Sequence, residues 1–350
     1  MLGAVNHPHV EHLASAMHER GFEVVVGGDT VPDLPPSTLP LELRPAPRLA
    51  RGSPRGAVAH VRWIRRLLRE VRPDVVHAHW LPGFAFFAAV AGARPLVAMA
   101  WGSDVLRARR SQTLANRFAV RRASLVMADS QALLDRLVAL GARRWELVNW
   151  GVDLALFRPR ERTALRAELG LRDGPVVLSP RSLMPVYNPR VILDAWARLA
   201  AERDDVQLVL KHMGVVHEVL GELPFAERVH VVGHVPYERM ADYYGAADAC
   251  VSIASSDSSP RSVFEAMACG APCVISDLPW VHEQIADERE ALVVPIEAGA
   301  VDDALRRLLS DASLADGIAA RGRALVEREH DRAVLMDRLA ETYERLGRPA

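Results

Sequence analysis

The chain is almost devoid of lysine: of its 43 cationic residues only Lys211 is not arginine. Cysteine is scarce as well. Cys250, Cys269 and Cys273 cannot build a disulfide framework, and no Cys/His cluster has zinc-site spacing, so reduced cytosolic thiols are expected. Long apolar runs are missing. The longest, from Leu81 to Ala93, contains Pro82 and stops at Arg94, short of the roughly 20 residues a spanning helix needs. No basic segment followed by an apolar core opens the sequence, so no secretory leader is expected. Gly and Pro together are about one residue in eight, which excludes collagen and low-complexity chains. No Gly-x-Gly-x-x-Gly follows a strand-like run, which counts against NAD or FAD.

What is present is a repeated rhythm of short β-branched runs and longer amphipathic stretches. In the first half, strands are expected at 23–27, 74–79, 95–99 and 124–129, with helices at about 10–20, 57–71, 83–91 and 131–140. In the second half, strands are expected at 175–178, 206–210, 229–232, 249–253 and 272–275. Strands of four to six residues separated by helices imply parallel sheets, hence α/β architecture with two doubly wound, Rossmann-like domains. Charge divides the same way. Residues 1–150 hold 20 Arg against 12 Asp and Glu, while residues 151–350 hold 23 cationic residues against 32 acidic ones. The turn-rich segment 149–159 reads as the linker, giving domains at 1–157 and 158–330 and a closing helix at 331–350 that packs back toward the first domain. The strand before Asn6 has room for only about four residues, so either a short first strand suffices or the true start lies upstream of Met1.

Open α/β sheets bind ligands at the carboxyl ends of their strands. Those ends carry Asn6-His-Pro-His9, His77-Ala-His-Trp80 and Trp101-Gly-Ser-Asp104 in the first half. In the second half they carry Ser179-Pro-Arg181, Lys211-His-Met-Gly214, Gly233-His234 and Ser255 to Arg261. Cations, hydroxyls and a loop opening into a helix are what an anion site requires. His77 and His79 share one strand face, where a hydrogen-bonded role is favoured over metal ligation for want of a third ligand.

The run Asp257-Ser-Ser-Pro-Arg-Ser-Val-Phe-Glu265-Ala-Met-Ala-Cys-Gly-Ala-Pro-Cys-Val-Ile-Ser276 resembles glycosyltransferase family 4. Pro73 to His79, Trp101 to Asp104, Asn149 to Pro159, and Glu283 with Ala291 to Pro295 extend the resemblance over nearly the whole chain. It implies a GT-B fold, two Rossmann-like domains facing a central cleft, and retaining transfer of a sugar from a nucleoside diphosphate sugar to an acceptor hydroxyl. By resemblance Glu265 holds the ribose hydroxyls, Arg181 clamps the diphosphate, and Ser258, Ser259, Arg261, Ser262 and Val263 border the donor. The family's first acid corresponds to Asp257, one methylene shorter than the usual Glu. Its second phosphate cation is replaced by Met184-Pro-Val-Tyr-Asn188, and Lys211 is the candidate substitute. In the first domain the family's Gly-Gly loop is absent, and Trp101 stands where a histidine is common. Catalytic roles then fall to Asp257, Asp104 and His79, with Asn6, His7, His9 and Trp101 on the acceptor side.

No metal and no resident cofactor are expected, since protein cations would neutralise the leaving diphosphate. The expected partners are a nucleotide-sugar donor and an unassigned acceptor. The basic amphipathic stretch 60–72 and the arginines from 107 to 122 add a peripheral anionic membrane as an alternative to a merely solvated face, for a cytoplasmic protein. A nucleic-acid partner is not expected, because the basic residues come without a recognition motif. Two rival readings are a nucleotide-sugar 2-epimerase of GT-B fold and a catalytically weak nucleotide-sugar-binding partner protein.

Overall fold

The structure, a computed structural model, describes residues 1–31, 36–37, 40–47, 53–212 and 225–348. It divides into two compact units, Met1–Trp150 with Ala333–Ala350, and Gly151–Arg332. The sequence reading set these limits at 157/158 and 330/331. The division lies earlier because Val152 and Phe157, both fully buried, already pack in the core of the second unit.

The second unit holds one parallel sheet with strands β7 (Val176–Ser179), β8 (Gln207–Lys211), β9 (Val229–Val232), β10 (Ala249–Ser252), β11 (Cys273–Ser276) and β12 (Leu292–Val294). Their spatial order is β9-β8-β7-β10-β11-β12, so the chain winds outward from β7 and then restarts beside it at β10. That reversal opens a crevice at the carboxyl ends of β7 and β10. Helices cover both faces. Ile192, Leu199 and Leu305 seal one side, and Phe264, Met267 and Tyr244 the other.

The first unit is built alike from β1 (Val25–Gly28), β2 (Glu42–Pro45), β3 (Val76–His79), β4 (Leu96–Met99), β5 (Leu125–Ala128) and β6 (Trp145–Leu147). Paired ladders join β1 to β2 and run through β3-β4-β5-β6. Leu2, bridged in parallel to both Gly27 and Ala78, ties the two groups into one sheet. The first strand expected from the sequence is thus reduced to a bridge. A side chain at Gly28 would place its Cβ 1.6 Å from the Gly3 carbonyl oxygen, so only glycine lets these two turns meet.

Helix ends follow local chemistry. The Pro8–Glu19 helix is capped by His7, whose Nδ1 accepts from His9 N at 3.2 Å, with Pro8 at its first position. The Gln131–Leu140 helix opens on Ser130 Oγ and closes on Gly141 at φ 105°. The last helix, Arg332–Gly347, packs Met336, Leu339 and Tyr343 against Met17, Val97 and Met127 of the first unit.

Candidate functional site

In the second unit the crevice gathers most of the residues singled out by sequence. Arg181 leaves the end of β7 and donates to Asp257 Oδ2 and Ser262 Oγ, each at 2.9 Å. Its guanidinium also lies 4.1 Å above the Tyr187 ring. Burial opposes its charge, yet Asp257 and then Tyr187 hold its pKa above the ordinary arginine value. Lys211 is the last residue of β8, the strand beside β7. Burial lowers its ammonium pKa; Glu265 works the other way and Arg181 adds to the lowering, so Lys211 shares one electrostatic neighbourhood with both.

Glu265 sits one turn inside the Arg261–Ala268 helix and is 5% exposed. Its carboxylate accepts from Tyr244 Oη at 3.3 Å and pairs with Arg261 at 3.2 Å. Arg261 in turn lies 4.9 Å above the Tyr237 ring. Burial, and then the Glu265 charge, keep the Tyr237 and Tyr244 hydroxyls protonated. Ser258 and Ser259 are buried in the loop before the helix, with Ser258 N donating to Asp257 Oδ1 at 3.2 Å. Val263 is placed differently from the expectation. Its side chain lies in the core and its N–H is spent on the Pro260 carbonyl at 3.1 Å.

In the first unit the strand ends bring His7, His9, His79 and Trp101 together. Trp101 lies 4.5 Å from His7 between ring centroids, and its indole N–H donates to His79 Nδ1 at 3.2 Å. His9 stacks on Trp150 at 4.3 Å. His79 is completely buried. Desolvation, followed by neighbouring His77, holds its pKa well below the histidine range, so it stays neutral. His77 lies behind it, 4.5 Å ring to ring, and hydrogen bonds to the Tyr343 hydroxyl.

Asn6 and Asp104 are placed as loop clamps. The Asn6 amide donates to Val31 O at 2.9 Å and accepts from Val31 N at 2.7 Å. The two Asp104 oxygens each accept a backbone N–H, from Leu81 and from Trp101, at 2.9 Å. Burial pushes the Asp104 carboxyl up to about 6 against those donors. With 1% exposure and both oxygens engaged, it shapes the turn that presents Trp101, a correction to its expected catalytic role. Among the described residues no group of three or more His, Cys, Asp or Glu side chains is set to hold a metal ion.

Residues 8–156 match the family model described as Glycosyltransferase Family 4, and residues 161–325 the one described as Glycosyl transferases group 1. The chain belongs to glycosyltransferase family 4. It is 31% identical over 247 residues to D-inositol 3-phosphate glycosyltransferase of Mycobacteroides abscessus, covering 63% of this chain and 55% of that protein. The corresponding protein of Nocardia farcinica is 29% identical over 269 residues, 68% of this chain and 59% of its own length. The chain therefore spans little more than half the length of these curated relatives. Among solved structures, sucrose-phosphate synthase of Thermosynechococcus elongatus superposes with a TM-score of 0.82 at 20% identity, covering 99% of this chain and 98% of the other. HepE of Anabaena, solved with UDP-glucose, gives the same four values. These likenesses show that this family-4 chain has the GT-B fold.

Sequence reasoning singled out none of Tyr187, Tyr237, Tyr244 and Trp150. Tyr187 had a signal, because it lies inside the run that replaces the family's phosphate cation. The other three are ordinary aromatics until the fold sets them against Arg261, Glu265 and His9. Of the Lys211–Gly214 strand end, Met213 and Gly214 lie outside the described residues.

Proposed function

We propose that this protein is a retaining glycosyltransferase that moves a sugar from a nucleoside diphosphate sugar to an acceptor hydroxyl of a glycan, glycolipid or small molecule. The observation that carries the reading is the convergence of Arg181, Lys211 and Glu265 at the crevice where the second sheet reverses its order. A carboxylate with one oxygen accepting from Tyr244 and the other from Arg261 keeps further lone pairs for the paired hydroxyls of a ribose. Arg181, Lys211 and the N–H groups opening the Arg261–Ala268 helix supply positive charge as the diphosphate departs. That supply calls for no metal and no resident cofactor. The leaving phosphate takes the acceptor proton, so no carboxylate pair is needed for acid and base work. His7, His9 and Trp101 form the acceptor side, with the buried His79 accepting from the Trp101 indole behind them.

Asp257 has a role of its own in this scheme. Its carboxylate occupies Arg181 before any donor arrives, so the donor's phosphate competes with it for the guanidinium. The exposed Arg62, Arg65, Arg66 and Arg69 of the Pro54–Val71 helix provide cytoplasmic contact with an anionic membrane face through charge, while Trp63 packs inward. No helix among the described residues is long and apolar enough to cross a membrane.

Incubation with UDP-, GDP- and ADP-sugars, with and without candidate acceptors, tests the activity. Transfer to an acceptor with the anomeric configuration kept is expected. An altered sugar formed from donor alone would replace this reading with an epimerase, and binding without any product would replace it with a partner protein.

A further inference from the structure

One edge of the first unit's sheet is β6, which pairs with β5 alone among the described residues. Val126 N donates to Arg144 O at 3.0 Å and Val148 N to Ala128 O at 2.8 Å, with Val126 opposite Trp145 and Ala128 opposite Leu147. Parallel-strand residues bond alternately to one neighbour and then the other. Glu146 therefore serves β5, while Trp145 and Leu147 turn their N–H and C=O groups outward. No backbone partner meets those groups among the described residues. Edge strands are ordinarily blunted by lysine, proline, a bulge or a covering element. This one instead presents Trp145 at 48% exposure and Leu147 at 50%.

The side chains of β6 sort by face. Trp145 and Leu147 stand in register with Val126 and Ala128, which pack under Leu133, Leu134 and Leu137 of the Gln131–Leu140 helix. Glu146 stands with Met127 on the opposite face, where Arg345 at 2.6 Å and Thr342 at 2.9 Å hold its carboxylate. The buried leucines place Gln131, Asp135 and Val138 together on one flank of their helix. In a right-handed crossover from β5 to β6, that flank overlooks the free edge. Val138 is 45% exposed there. Asp135, also exposed, accepts from Gln131 Nε2 at 2.7 Å. Neither Asp135 nor Arg143, exposed at the start of β6, has an ion pair among the described residues.

We propose that β6 is the contact surface of a homodimer, in which two copies of this chain pair their edge strands antiparallel about a two-fold axis through Glu146. In this register Trp145 of each copy exchanges both backbone hydrogen bonds with Leu147 of the other, so every outward group gains a partner. On the helix face the same two side chains meet and cover apolar surface that stands in water in the single chain. Each Gln131–Leu140 helix lies over β5 and β6, about half a strand spacing inside the edge. The two-fold then sets the two helices about 10 Å apart, an ordinary packing distance. Arg143 of one copy arrives at the end of β6 where Asp135 of the other stands, so the opposite charges meet on both sides of the axis. Glu146 faces its own counterpart, and the Arg345 already bound to each offsets that like-charge contact. The patch is self-complementary in hydrogen bonds, apolar surface and charge. An isologous contact requires that match, and an unrelated extended peptide would not supply it.

Sedimentation velocity and amide exchange on the full chain, over an about 100-fold range of concentration, test the pairing. A concentration-dependent dimer is expected, with exchange at Trp145 and Leu147 slowed by about tenfold or more as it forms. Leu147→Lys changes a side chain half in water, and it is expected to give a monomer that folds with the wild-type Tm. Arg143→Asp is expected to weaken the dimer by about tenfold or more, and Asp135→Arg added to it to bring the dimer back. A chain that stays monomeric throughout, or a dimer that survives Leu147→Lys, would overturn the interface. A dimer whose Trp145 and Leu147 amides exchange as fast as in the monomer would rule out strand pairing. Failure of the second charge reversal to restore association would rule out the two-fold register.

Discussion

Asp257 and Arg181 face each other at 2.9 Å with most of their surface hidden. A glutamate has the reach to extend past the arginine toward a sugar; the aspartate is held by it. Replacing Asp257 with Asn should therefore release Arg181 for phosphate. Titration calorimetry is expected to show UDP or its counterpart binding the Asp257→Asn variant several-fold more tightly, while Arg181→Ala weakens binding by about tenfold or more. Equal affinities across wild type and both variants would remove the competition between Asp257 and donor. Asp104 supplies a second test at this scale. Its folded-state pKa of about 6 exceeds the ordinary aspartate value near 3.8, so the folded protein binds the extra proton between them. Its contribution to stability is present at low pH and is lost as pH rises through 6. Urea midpoints should show this group costing about 1 kcal/mol between pH 5 and pH 7 in the wild type, a dependence missing from Asp104→Ala.

At the scale of elements, the last helix belongs to the first unit, and a buried hydrogen bond adds to the packing that fastens it. The Tyr343 hydroxyl hydrogen bonds to His77, itself 2% exposed in β3. Tyr343→Phe leaves a buried imidazole nitrogen without its partner and should lower stability by about 1–3 kcal/mol, read as a fall in denaturation midpoint with unchanged slope. A neutral result would mean that helix packing alone secures the terminus. Central strands were legible in the sequence because burial on both faces makes them short apolar runs. β3, β4, β5, β7, β8, β10 and β11 fall within a residue or two of expectation. The missed strands β2, β6 and β12 have only three or four residues each. β2 and β6, which close the two ends of the first sheet, are largely exposed, so no periodicity marks them. The helix expected at 83–91 is a turn of π-helix at Leu81–Ala85 followed by Phe86–Ala91, a distinction composition does not carry.

For the molecule as a whole, both units wind outward from the middle of the sheet and restart beside it, and each reversal point gathers the candidate site residues. This is why strand ends in the sequence pointed to Arg181, Lys211 and the Asp257–Glu265 loop without any coordinates. The sequence could not show how the site is tied together. Arg181 bound to Ser262, Tyr244 under Glu265 and Arg261 above Tyr237 join residues 21 to 81 positions apart or set a ring beneath a cation. The central claim is that this assembly binds a nucleoside diphosphate. Thermal unfolding with UDP, GDP and ADP, on wild type and on Glu265→Ala and Lys211→Ala, tests it most directly. One nucleotide at about 100 times its dissociation constant should stabilise the wild type by roughly 2.7 kcal/mol, with the shift lost in both folded variants. No shift from any nucleotide in the wild type would contradict the account.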